Sequence, residues 1–195
     1  MNHIARTVTS FGLLLAFSQV GSSGPKDLFG WQGTRWGMSS QEIVKVFGSK
    51  AKKLPRWQLY GDGYLEYIVP GINLKGGMYT AYFMMDAGSS KLREIHLRLD
   101  QMESPVPRDD VFDGLNSLLT HQYGAPTRKD DERSPEVPIK SLRLSRTWKF
   151  PTTTVELFCQ WDSGHSSLVT IRYFPSKLKS DVTTTHNKAL QLTAR

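Results

Sequence analysis

The chain has 195 residues, 38% of them hydrophobic and 22% charged, which suits one domain or two small, closely packed units and excludes a disordered or collagen-like chain. Its formal net charge of +7 favours anionic partners in general, but no run of five basic residues marks a nucleic-acid or heparin tract, and solubility alone accounts for the balance. A single cysteine, Cys159, excludes an intrachain disulfide scaffold.

The first residues have the layout of a secretory signal peptide: Arg6, then the apolar run Phe11–Phe17, then small residues, with Val20 and Ser22 at the −3 and −1 positions of a cleavage site. The run is shorter than the ~20 apolar residues a membrane-spanning helix requires. No cysteine stands near residue 22 to carry a lipid anchor. Residues 1–23 are therefore read as a removed signal and the mature chain as periplasmic or secreted, with no transmembrane helix. The alternative, an amphipathic first helix of the fold, is disfavoured because the run is apolar all round and ends in a Ser/Gly/Pro stretch.

A helix is predicted to begin after Ser39. The Ser39 hydroxyl is placed to accept first-turn N–H groups, and Glu42, three residues on, completes a capping box. Ile43, Val44 and Phe47 form its apolar stripe, and Gly48 ends it. Ser49 to Pro55 reads as a basic connection. Alternation then predicts strands near 63–69, 77–86 and 92–100. A second helix is expected from about Arg108 to Tyr123, with Asp109, Asp110 and Asp113 at its electropositive start and Gly124 and Pro126 at its end. Residues 126–138, Pro-rich and charged, read as an exposed excursion. Strands follow near 141–150, 154–162 and 167–174, and residues 176–195 read as a disordered tail.

Aligning Phe47-Gly48 with Tyr123-Gly124 sets an offset of 76 (124 − 48). Held without gaps, this offset places Asp86 on Asp162, Gly88 on Gly164, Ser90 on Ser166, Leu92 on Leu168 and Ile95 on Ile171. Such matching reads as a duplication, in which the two aspartates serve hairpin turns and not acid catalysis. The expected fold is α+β: two tandem helix-plus-three-strand repeats, residues 24–104 and 105–175, with an antiparallel sheet and the helices on one face.

Motifs for chemistry are sparse. Neither H-x-x-x-H nor C-x-x-C occurs, so no metal or other cofactor is indicated. Cys159 alternates inward with Leu157 and Trp161, as an apolar filler does. Ser166 lacks a nucleophile elbow, and Gly76-Gly77 reads as a turn. The remaining constellation is the face of the sheet that alternation turns outward: Tyr82, Met84, His96, Arg98, Phe158, Gln160 and Arg172. Aromatic, Met and Arg side chains carry binding energy at protein interfaces. A second, smaller core beneath a loop or within a homodimer would use the same residues.

Two stretches carry resemblances. Trp31-x-Gly33-x-x-Trp36-Gly37-Met38-Ser39 followed by Glu42-Ile43 resembles the opening of small secreted Gram-negative proteins of unknown function. The tandem helix-plus-sheet layout resembles the secreted beta-lactamase inhibitory protein family. That family has a second helix per domain and disulfides that this chain lacks, so the resemblance implies a fold and no activity. The C-terminal Asn187-Lys188-Ala189-Leu190-Gln191-Leu192-Thr193-Ala194-Arg195 resembles the translated edge of an integron gene cassette, which implies a mobile accessory gene.

The functional expectation is an exported binding module that presents its outer sheet face to a protein or envelope component, with nucleic acid disfavoured by export and oligomeric state undetermined. The rivals are an envelope-polymer hydrolase with an unrecognised site and a purely structural envelope protein.

Overall fold

The computed structural model describes residues 27–100, 108–136, 140–163 and 167–176. The signal reading for 1–23, the cleavage site, Gly164 and Ser166 of the offset comparison, and the cassette-like tail lie outside them.

The expected repeat of one helix and three strands is corrected. A single eight-stranded antiparallel sheet dominates the structure, accompanied by two short helices, and each helix is followed by four strands. In chain order these are α1 (Ser40–Phe47), β1 (Lys52–Tyr60), β2 (Gly63–Leu74), β3 (Gly77–Asp86), β4 (Leu92–Leu99), α2 (Asp109–Tyr123), β5 (Arg128–Arg133), β6 (Ser141–Lys149), β7 (Thr153–Asp162) and β8 (Leu168–Pro175). A 3₁₀ turn, Gly48–Lys50, follows α1. The spatial order is β1-β2-β3-β4-β8-β7-β6-β5, so two four-strand meanders meet at their last strands. At this seam Ile95 faces Tyr173, His96 faces Arg172, Leu97 faces Ile171 and Arg98 faces Thr170.

The strands that sequence reasoning overlooked, β1 and β5, are the two edges. An edge strand on a solvated margin has no period-two apolar signal, because neither of its faces need be buried. β5 reads RKDDER, with five of its six residues exposed, and β1 carries Pro55 and a register shift between Lys53 and Gln58. The connection expected over 49–55 covers only the start of β1, and the excursion expected over 126–138 contains β5. The inner strands alternate clearly, and β3 and β7 lie 76 residues apart at both ends (153 − 77 and 162 − 86).

Both helices form for local reasons. Ser39 accepts the Glu42 N–H, the Glu42 carboxylate accepts the Ser39 N–H at 2.8 Å, and Gly48 closes α1 at φ 55°. For a helix of eight residues these bonds matter, because helices this short do not persist alone. α2 starts with Asp109 and Asp110 at its positive pole and ends at Gly124, φ 82°.

Their apolar sides join one core. Ile43 of α1 and Phe112, Leu115 and Leu119 of α2 are buried with Ala81, Phe83, Ile95, Leu97, Val155, Leu157, Cys159 and Ile171 of the inner strands. Each Val, Leu, Ile or Phe among them contributes roughly 2 kcal/mol through burial. An aromatic cluster of Trp31, Phe47, Phe83 and Tyr173, with ring centres 5.3–6.5 Å apart, ties the N-terminal segment to both meanders. The Trp-Gly motif has the same bridging role. The Gly37 N–H donates to Leu92 O on β4 (3.0 Å), and the Trp36 indole N–H donates to Thr153 Oγ1 on β7 (2.9 Å).

Asp86, read as a turn residue, behaves as one. Its Oδ1 accepts the Ser89 N–H (2.7 Å) and hydroxyl (2.8 Å) at the β3–β4 turn.

Candidate functional site

The seven residues assigned to the outward face sit on β3, β4, β7 and β8, and all are half-buried. Strand alternation puts them opposite the core residues Ala81, Phe83, Ile95, Leu97, Leu157, Cys159 and Ile171, because successive side chains point to opposite faces.

Cross-strand register arranges part of the set in one row. Tyr82 on β3 faces His96 on β4, His96 faces Arg172 on β8, and Arg172 faces Glu156 on β7. A second row runs Arg98, Thr170, Phe158. Arg98 lies over the Tyr82 ring, 5.5 Å from its centre, so the two rows touch. Met84 faces Glu94. Gln160 is set apart: its amide donates to Asp162 Oδ2 (3.0 Å), and it lines a shallow hollow at the β5–β7 end with Arg133, Arg143 and Asp162.

The row is centred on a charge network that the sequence reading left incomplete. Arg172 Nε donates to Glu94 Oε1 at 2.7 Å, its Nη2 lies 2.6 Å from the same oxygen, and its Nη1 donates to Glu156 Oε2 at 2.9 Å. His96 Nε2 is 2.9 Å from Glu94 Oε1. Arg172 also lies over the Phe174 ring, at 5.5 Å. Strand alternation puts Glu94 on the same face as His96 and Arg98, and Glu156 on the same face as Phe158. Neither carries a sequence signal, because a single carboxylate on a wet strand face has no signature until its partner on another strand is known.

The electrostatics limit what this network can do. Burial by itself would raise the Glu94 carboxyl, but His96 and Arg172 outweigh it and hold the carboxyl at about 2. Burial likewise works against the charge on Arg172, and Glu94 and Glu156 overcome it and raise its pKa. A general acid or base works best when its pKa lies near the operating pH. Glu94 is instead ionised at neutral pH, with its Oε1 engaged by Arg172 and His96. Arg172 is therefore fixed in one orientation, and the network presents a rigid platform flanked by Tyr82, Arg98 and Phe158.

Among the described residues no three His, Cys, Asp or Glu side chains are grouped as a metal site would require. Cys159 is fully buried, and burial raises its thiol to about 11. The thiolate is the reactive form, so a thiol reagent at pH 8 is expected to leave Cys159 unmodified in the folded chain and to react promptly in urea. Titration with an aromatic disulfide reagent checks this, and fast modification without denaturant would contradict the packing.

No helix among the described residues is long and apolar enough to cross a membrane. The fold and face together define a protein dominated by one eight-stranded antiparallel sheet, with two short helices and a charge-clamped outer surface, and not the balanced α+β repeat expected. No family model matches the chain, and neither a curated protein nor a solved structure matches it.

Proposed function

We propose that the chain is an exported binding module whose outer sheet face, centred on Tyr82, Arg98 and Phe158, engages a protein or envelope component. The observation that carries this reading is the clamped Arg172, held between Glu94 and Glu156 beside the Tyr82–Arg98 stack. A surface whose side chains are already ordered loses less entropy on association, and aromatic and Arg side chains are those that dominate interface energy. Arg98, stacked on Tyr82, has no carboxylate partner among the described residues and is available to an acidic or carbonyl-rich ligand. Export rests on Arg6, the apolar run Phe11–Phe17 and the small residues after it.

The test is affinity capture from bacterial envelope extract by the mature chain, beside a variant carrying Tyr82→Ala, Arg98→Ala and Phe158→Ala. Arg172 is kept, because its loss would uncover two carboxylates and confuse binding with folding. Circular dichroism must show both proteins folded. A partner retained by the first, and bound by the variant at least about tenfold more weakly in direct titration, supports the face. Equal retention of every captured component removes the assignment.

A further inference from the structure

The two edges of the sheet are built differently. On β5, Arg128 pairs with Asp130 (2.7 Å), Asp131 with Arg146, and Arg133 with Asp109 (3.5 Å). Charged along its whole length, with four of its six residues in ion pairs, this edge is guarded against pairing with another chain. The other edge, β1, has no acid. It carries Lys52, Lys53 and Arg56, and among the described residues only Lys53 meets a carboxylate, Glu66, at 3.4 Å. Next to these cations stand the exposed apolar side chains Trp57 (59%), Leu59 (76%) and Tyr60 (46%).

Trp57 and Leu59 share a face, two residues apart. Leu59 faces Tyr64 across the ladder, and the Trp57 ring stacks on Tyr64 at 4.8 Å with an interplanar angle of 20°. Tyr64 itself is buried in the main core. The exposed indole is thus anchored from beneath as a fixed platform. Pro55, which has no N–H, and the register shift before Gln58 interrupt the edge, so the in-register ladder after them runs along Gln58–Tyr60.

We propose that β1 accepts an extended acidic peptide segment as an added ninth strand. Backbone hydrogen bonds would form along Gln58–Tyr60, apolar side chains of the segment would lie on Trp57 and Leu59, and its acids would meet Arg56, Lys52 and Lys53. Main-chain pairing supplies affinity and alternate side chains supply selectivity in this mode of recognition. Charge complementarity chooses the occupant: a strand with three cations and no acid suits an acidic segment, whereas two copies of a chain of net charge +7 repel one another.

The experiment uses the full chain and a fluorescein-labelled peptide of alternating Glu and Val, read by anisotropy. Its controls are a Lys-for-Glu version, a version N-methylated at alternate amides, and phosphatidylserine-containing vesicles. Saturable binding of the acidic peptide is expected. It should weaken as salt rises and fall at least about tenfold both on N-methylation and in a Trp57→Ala/Leu59→Ala variant, whose altered side chains are exposed and leave the fold intact. Absence of binding overturns the proposal. Equal binding of the N-methylated peptide also overturns it, since charge without strand pairing would then suffice. Self-association abolished by Leu59→Lys would assign the edge to a second copy, and binding to vesicles but not peptide would assign it to a lipid surface.

Discussion

Arg172→Ala is expected to destabilise the protein by about 3 kcal/mol at neutral pH. The substitution leaves Glu94, whose side chain is only 13% exposed, without its guanidinium, and Glu156 loses its partner too. Breaking a buried pair from one side costs about 3–5 kcal/mol, because the abandoned charge stays desolvated. The lower end applies here, since 38% of the Arg172 side chain remains in water and solvent screens part of the attraction. Arg172→Lys should cost less, but not nothing, because an ammonium keeps the charge and loses the fork that spans both carboxylates.

The pH dependence has a definite sign. Glu94 is held at about 2 in the folded chain against an ordinary value of 4.5. Its contribution is complete above the unfolded value and is lost as pH falls from about 4.5 through about 2. In Arg172→Ala the share due to Arg172 is gone while the His96 contact remains, so the buried carboxyl is held down less strongly. The stability gap between wild type and variant should therefore be widest near neutrality and narrow steadily in acid. Urea unfolding midpoints measured at neutral pH and again near pH 3 check this. A gap unchanged by acid would show that Arg172 acts through packing and not through Glu94.

The second large effect lies in the core. Trp148→Ala is expected to cost about 3–5 kcal/mol, a substantial share of the ~5–15 kcal/mol that holds a typical domain folded. Trp148 is 1% exposed, and its indole N–H donates to Gly124 O at 2.8 Å, joining β6 to the residue that ends α2. Tyr123 meets it edge-on, with ring centres 6.4 Å apart. Trp148→Phe keeps most of the volume and abandons the bond to Gly124, so it should cost about 1–2 kcal/mol. Denaturant titration of both variants separates packing from hydrogen bonding. Equal losses would mean that the bond to Gly124 matters more than the ring.

Much of the architecture was readable wherever one face of an element is buried. Helices expected from Ser39 and from Arg108 occupy Ser40–Phe47 and Asp109–Tyr123, because the capping box, first-turn acids and terminal glycines are local chemistry. The strand expected over 77–86 is β3, and those near 92–100, 141–150, 154–162 and 167–174 match β4, β6, β7 and β8 within a residue at each end. In all of these, core packing imposes the period-two pattern. At β1 and β5 it imposes none, and those strands were missed.

The site divides in the same way. Alternation determined which residues share the outward face, including Tyr82, His96, Arg98 and Arg172, because side-chain direction follows from position along a strand. It did not determine which of them touch. That Arg172 lies between Glu94 and Glu156, residues separated in sequence by 62 positions (156 − 94), depends on β4 pairing with β8 and β8 with β7. Local sequence thus set the caps, turns and inward faces of the elements. Only tertiary structure decided the edges, the joining of two meanders into one sheet and the ion network across its centre. These depend on strand order and register, which arise from contacts between residues far apart in the chain.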